Sequence, residues 1–247
     1  MILDFHGQHA VVTGGTRGIG RRIVEDLGAL GATVLATGAQ ADGIDRLNRE
    51  RPIANVTWRQ VDFTDRLATE AFAQELANHD KIDVLVNNAG INRINPVEES
   101  RLEDWDALNA VNLAAPFILV RAMAPVMRRA RYGRIVNIAS IWSEISRPKR
   151  AVYSATKFGL RGLTVAVSNE LAAFNIMVNS VSPGFVLTEL TRQSLSQEEQ
   201  DDLKVQIPAG RFADPAEISR VVLFLSSNLN TYLTGQNIVV DGGFVNV

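Results

Sequence analysis

Short runs of Val, Ile, Leu and Ala alternate along this chain with longer segments of helical periodicity, and few folds accept that alternation. The runs are His9–Thr13, Thr33–Thr37, Val56–Val61, Ile82–Val86, Arg134–Ala139, Met177–Val181 and Ile238–Val240. Most are almost continuously apolar, as strands covered on both faces must be. Between them lie segments such as Gly20–Leu30, where Ile23, Leu27 and Leu30 recur at helical spacing, and Leu67–Ala77. Strand–helix–strand alternation predicts right-handed crossovers and a parallel sheet with helices on both sides. At 247 residues and 46% hydrophobic content the chain suits one such domain, 1–247.

Bulk properties narrow the function classes. A net charge of −2 gives no footprint for nucleic acid. The absence of cysteine excludes disulfides and thiol chemistry, and fits a cytoplasmic protein. Met1–Gln8 has no apolar signal core, and no apolar run approaches the roughly 18 residues of a membrane span, so no membrane partner is expected. His6, His9 and His79 are scattered and predict no metal site. The least regular stretch, 184–214, holds Pro208 and a polar helix candidate, Leu190–Asp202; a long excursion of this kind predicts a substrate lid.

The first strand runs directly into Thr13-Gly14-Gly15-Thr16-Arg17-Gly18-Ile19-Gly20, and a helical pattern follows. Such a turn points backbone amides and the positive helix end at a phosphate, while glycines allow the pyrophosphate to approach closely. A phenol and an ammonium stand four residues apart, Tyr153 and Lys157, at the start of another helical stretch, and that spacing puts them on one face. Ser140 ends the fifth strand. Reducing a ketone needs a hydride on carbon and a proton on oxygen. A phenol with a free pKa near ~10 donates poorly at neutral pH, and a neighbouring ammonium is expected to lower it. Ser140 is suited to orienting a carbonyl.

These motifs, in this order, resemble the classical short-chain dehydrogenase/reductase family. The glycine turn matches its TGxxxGxG fingerprint, Asn87-Asn88-Ala89-Gly90 its NNAG motif, and Asp241-Gly242-Gly243 its C-terminal signature. The resemblance covers the whole chain and implies a doubly wound Rossmann fold with a seven-stranded parallel sheet. It implies a catalytic set of Asn112, Ser140, Tyr153 and Lys157. For cofactor binding it implies Gly14, Thr16, Arg17, Gly18, Ile19 and Gly20 in the turn. Further along it implies Thr37 ending the second strand, Asp62 and Phe63 after the third, and Asn88, Ala89 and Gly90 after the fourth. Pro183, Gly184, Val186 and Thr188, together with Tyr153 and Lys157, complete the nicotinamide end. It also implies a homo-oligomer, a tetramer, with the C-terminal strand and the Tyr153 helix as contacts.

Charge argues for the coenzyme. The second strand ends Ala36-Thr37-Gly38-Ala39 without an acid to accept a ribose 2′-hydroxyl, and Arg17 sits where a 2′-phosphate would lie. NADP(H) is therefore expected; NAD(H) is the alternative if Asp42 or Asp45 turns back to the ribose. Asn112 lies inside the long helical stretch Glu103–Ala130. Pro116, four residues on, lacks the N–H that would bond the Asn112 carbonyl, so Pro116 is expected to reinforce a kink there.

Ile91, Ile141, Trp142, Ile145 and Phe185 predict a partly apolar substrate pocket for a carbonyl or alcohol. Arg147, Lys149 and Arg150 read as a solvated loop run, with contact to an anionic substrate as the alternative. Within the family the pattern is similar to the 3-oxoacyl-carrier-protein reductases. Arg128, Arg129 and Arg131 offer a docking surface for an acidic carrier, but Phe174 replaces a second docking arginine. A sugar or sugar-nucleotide oxidoreductase is the alternative. A non-catalytic dinucleotide sensor is the alternative of another class, although a sensor has no need of Tyr153 and Lys157.

Overall fold

The computed structural model describes residues 3–50, 53–189, 191 and 196–247. Its strands are β1 (His9–Val12), β2 (Thr33–Gly38), β3 (Val56–Gln60), β4 (Val84–Asn87), β5 (Gly133–Ile138), β6 (Ile176–Pro183) and β7 (Asn237–Val240). They form one seven-stranded sheet in the order β3-β2-β1-β4-β5-β6-β7, every pair parallel. The helices are α1 (Gly18–Ala29), α2 (Ala41–Glu50), α3 (Arg66–Ala77), α4 (Leu102–Asn109), α5 (Ala115–Ala130), α6 (Ala151–Leu171), α7 (Gln197–Val205) and α8 (Pro215–Ser226). This is the doubly wound Rossmann arrangement. β1 lies between β2 and β4, so the strand order reverses beside it and opens a crevice at the carboxyl ends.

The continuous apolar runs have a simple cause. Alternate residues of one strand enter different cores. Ala10, Val12, Val84, Val86, Val136 and Ile138 pack with Ile23, Leu27 and Val222 on one side. Val11, Leu85 and Ile135 pack with Phe72, Leu119 and Met123 on the other. A strand with two dry faces leaves no position for a polar side chain except where a partner is built in.

Strand ends differ slightly from expectation. Ile82 is buried but precedes the ladder; Asp83 spends its amide and carboxylate on His9 and its carbonyl on Arg134 N. β6 is longer than its apolar core, since Ser180 and Ser182 both find an acceptor in Asn237 Oδ1. The stretch read as one helix over Glu103–Ala130 is α4 and α5 joined by a π turn at Ala110–Ala114. By length and composition Leu102–Ala130 would suffice to cross a membrane, contrary to the reading above; 56% of its most apolar window is buried within the protein, as in a core helix. Of the polar helix candidate Leu190–Asp202, 190 and 192–195 lie outside the described residues. The described part begins α7 at Gln197, capped by Ser196 and Glu199.

One buried polar chain crosses from sheet to helix. Asn87 Nδ2 donates to Asn137 Oδ1 (2.8 Å), Asn137 Nδ2 to Thr164 Oγ1 (2.9 Å), and Thr164 Oγ1 to the Leu160 carbonyl (2.8 Å). It ties α6 to β4 and β5. Asn137→Ala would leave the Asn87 amide without its acceptor in a dry site, and a loss of about 2–3 kcal/mol is expected in urea denaturation.

Candidate active site

The glycine turn joins β1 to α1 at the crevice. Gly14 has φ +64°, and a Cβ there would stand 2.8 Å from Ala89 Cα; a Cβ on Gly20 would overlap Gly14 O and Asn88 Nδ2. Side chains are excluded so that the turn, α1 and the segment after β4 can close on one another. Thr13 and Asn88 fasten that junction. Thr13 Oγ1 accepts from the amides of Asn88 (3.0 Å) and Ala89 (2.9 Å), and Asn88 Nδ2 donates to the Thr13 and Gly14 carbonyls (2.9 Å each). The fastening role of Thr13 was missed in the sequence; a threonine ending the first strand is its only signal.

A cleft of about 320 Å³ lies against this turn. Of the predicted cofactor residues, Gly14, Thr16, Arg17, Gly18, Ile19, Gly20, Thr37, Asp62, Phe63, Asn88, Ala89, Gly90 and Thr188 line it. Gly38, Ala39, Thr64, Val111 and Glu189 line it as well, although no motif marked them. Thr37 is fully buried and accepts from Gly14 N, so its hydroxyl shapes the turn. Asp62 accepts from both the amide and the hydroxyl of Thr64. Asp42 and Asp45 are exposed on α2 and do not line the cleft, whereas Arg17 is exposed at its mouth. Pro183, Gly184 and Val186 do not line it: Gly184 gives Asp241 room to approach, and Val186 bridges to Ala213. The cleft fits a dinucleotide. Gly14, Gly18, Gly20, Gly38 and Gly90 are among its lining residues, α1 opens onto it with no acid in its first turn, and Arg17 gives that helix no side-chain cap, which leaves the terminal amides available to phosphate.

The second half of the site is built where α6 meets the ends of β4 and β5. Lys157 is buried, and Nζ donates to the Ile138 carbonyl (2.8 Å) while standing 5.7 Å from the centre of the Tyr153 ring. Ser140, buried at the end of β5, accepts from Trp142 N through Oγ. Asn112 is fully buried; its side chain accepts from Ile91 N (2.9 Å) and donates to the Ile91 carbonyl (2.9 Å) and to Thr156 Oγ1 (3.1 Å), which donates to the Tyr153 carbonyl (2.8 Å). Asn112 therefore clasps the first turn of α6 to the segment after β4. Thr156, three residues after Tyr153, went unrecognised as the middle of this clasp. The predicted kink takes the form of the π turn, where Ala115 N bonds Ala110 O five residues back, immediately before Pro116. All four predicted catalytic residues are thus brought together.

Electrostatics corrects one expectation. The Tyr153 phenol is pushed above its ordinary value by burial; a hydrogen bond with Ser140 and the Arg150 guanidinium work in the opposite direction. The Lys157 ammonium, bonded to Ile138 O, stands 5.7 Å from the centre of the Tyr153 ring. Burial takes Lys157 itself down to about 8. Arg150 also departs from expectation. It is buried against Trp142, not solvated, while Arg147 and Lys149 are exposed. Arg128 stacks on Phe174 at 4.6 Å, and with Arg129 and Arg131 it lies where α5 leads into the start of β5. In a parallel sheet that is the edge opposite the strand ends that carry the site.

The Lys157 value has a consequence for stability. Between pH 8 and the ordinary lysine value of 10.5 the unfolded chain holds more protons than the native one, so on this group's account stability rises with pH. Compared with Lys157→Met, the wild-type chain should gain about 2 kcal/mol between pH ~8 and ~10 in urea titrations; parallel curves would contradict it.

Comparison with known proteins places this geometry. The family model described as enoyl-(acyl carrier protein) reductase matches residues 14–245. The 3-oxoacyl-(acyl-carrier-protein) reductase of Aquifex aeolicus (strain VF5) is 40% identical over 249 residues, covering 98% of this chain and 99% of its own. A putative gluconate dehydrogenase from Agrobacterium tumefaciens superposes with a TM-score of 0.92 at 35% identity, over 100% of this chain and 99% of the other. A gluconate 5-dehydrogenase from Burkholderia cenocepacia J2315, solved in complex with NADP and tartrate, superposes at 0.91 with 32% identity, over 99% and 98%.

Proposed function

Given that the chain belongs to the short-chain dehydrogenase/reductase family, we propose that it is an NADP(H)-dependent oxidoreductase that moves a hydride between nicotinamide and a ketone or secondary alcohol. The observation that carries this reading is the pair of half-buried Tyr153 and buried Lys157 on one face of α6, beside Ser140, at the edge of a cleft lined by glycines. When bound, the nicotinamide supplies or accepts the hydride.

The chain's own residues handle the oxygen. In the reducing direction Ser140 Oγ donates to the substrate carbonyl and fixes its orientation, and the Tyr153 hydroxyl gives it a proton. Burial keeps the phenol neutral at rest, which is the form a donor needs. The negative charge left on Tyr153 then forms close to two cations, Lys157 and Arg150. Lys157, anchored on Ile138 O, holds its charge next to the ring and reaches towards Gly90 at the cleft. Asn112 acts by holding Ile91 and Thr156 in register, and its carbonyl, which Pro116 cannot bond, is a place for a relaying water. Arg17, at the cleft mouth, pairs with the 2′-phosphate, and the 184–214 segment closes over the substrate.

The relatives named as 3-oxoacyl reductases support a 3-oxoacyl thioester as substrate. Carrier docking through Arg128, Arg129 and Arg131 of the same chain gains no support from their position. The solved structures named as gluconate dehydrogenases favour a second reading, oxidation of a sugar-derived alcohol. We also infer a homo-oligomer, a tetramer, in the cytoplasm. The apolar groove formed by Leu113, Ala114, Phe117 and Leu163, with exposed Phe158 and Val165 on α6, supports self-association.

Two experiments test the proposal. Tyr153→Phe should lower kcat at least about 10³-fold while fluorescence titration still shows NADPH binding; retained turnover would refute the proton donor, and a wild-type chain that binds NADPH but reduces no ketone would favour the sensor. Arg17→Ala should reduce the NADPH-over-NADH ratio of kcat/KM about 10- to 100-fold, and an unchanged ratio would show that the 2′-phosphate lies elsewhere.

A further inference from the structure

We propose that Arg150 recognises a carboxylate on the substrate, a few bonds from the reacting carbon, so that the enzyme acts on oxo or hydroxy acids in preference to neutral ketones. The inference rests on the hydride-transfer reading and names the substrate class of that same site.

Arg150 is only 8% exposed, and its Nε and Nη1 are buried without a hydrogen-bond partner. A buried guanidinium is ordinarily paired, because removing it from water is costly unless an anion or acceptors replace the water. Here the groups acting on it are Arg147 and Tyr153, and no described carboxylate pairs with it. Acids on neighbouring segments are committed elsewhere. Glu144 bonds Arg161 and Asn237, and Asp241 accepts from the amides of Gly243 and Val245.

Its position ties the vacancy to the chemistry. Arg150 immediately precedes α6, three residues before Tyr153, so the two share one side of the helix start. Its guanidinium lies 5.6 Å from the centre of the Trp142 ring, and Trp142 follows Ser140 by two residues. Trp142, Phe244 and Phe185 form a continuous aromatic wall. The indole supplies a cation–π contact but no acceptor, so Nε and Nη1 are left for an anion. α6 begins with no acidic residue in its first turn and no side-chain cap from Arg150, so the same corner has free amides and the positive end of a 21-residue helix. Hydrogen-bonding capacity selects the anion. Arg147 stands over the same indole at 5.1 Å but is exposed, as is Lys149, so Arg150 is the buried one of the three. A carboxylate offers acceptor oxygens for the unpartnered Nε and Nη1 of Arg150.

The test uses the full chain with saturating NADPH and three probes: 3-oxobutanoate, its methyl ester and 3-oxobutyl phosphate. Wild-type kcat/KM should favour the acid over the ester at least about 30-fold, and Arg150→Gln should bring that ratio near one without changing NADPH affinity. Arg150→Lys should keep part of the preference. An ester turned over as well as the acid, or a preference untouched by Arg150→Gln, or a higher kcat/KM for the phosphate, overturns the proposal and leaves hydride transfer standing. If no probe is reduced, calorimetry decides on Arg150 independently of turnover: malonate should bind the NADP⁺-saturated wild-type chain and not Arg150→Gln, and equal binding to both would overturn the assignment.

Discussion

The hydrogen bond from the Lys157 ammonium to the Ile138 carbonyl is the contact on which the rest of the site depends. A buried lysine with no carboxylate beside it among the described residues survives only where a fixed acceptor meets it, and the carboxyl end of β5 supplies one. That bond sets the height and rotation of α6 against the sheet, and so the place of Tyr153 one turn earlier. The Asn112 clasp fixes the same turn from the other side, through Thr156 and Ile91. A π turn is the means by which Asn112 leaves the regular face of its helix and reaches both.

Burial acts on the site in opposite ways. It raises the phenol and lowers the amine, so both groups are held closer to neutrality than they would be in water. In the proposed reaction this keeps the proton on Tyr153 until a carbonyl arrives, and makes the surrounding cations count for more when it leaves. Arg150 is the member of that surround without a partner of its own, and for that reason the corner between Trp142 and α6 is read as a substrate subsite and not as part of the fold.

The cofactor side is organised by exclusion. Gly14 and Gly20 leave no room for side chains, Thr37 spends its hydroxyl on the turn, and Thr13 with Asn88 binds the turn to the segment after β4. Five glycines line the cleft, and Arg17 stands exposed at its mouth. Selectivity for the nucleotide's charge can thus rest on one flexible side chain, while the pyrophosphate seat is rigid.

The sequence by itself determined the alternation of strands and helices, the glycine turn after β1 and the Tyr153–Lys157 spacing, because each is a local pattern: period two or 3.6, or the steric demand of a tight turn. The tertiary structure alone decided where long-range partners fall. Asn112 reaches Ile91 and Thr156 across 21 and 44 residues, and the ammonium of Lys157 donates to the β5 carbonyl of Ile138. Arg150 was indistinguishable in the sequence from its neighbours Arg147 and Lys149; only folding buries one of the three against an indole. Burial and direction are properties of packing between segments remote in the chain, and they set the charge chemistry that local patterns cannot express.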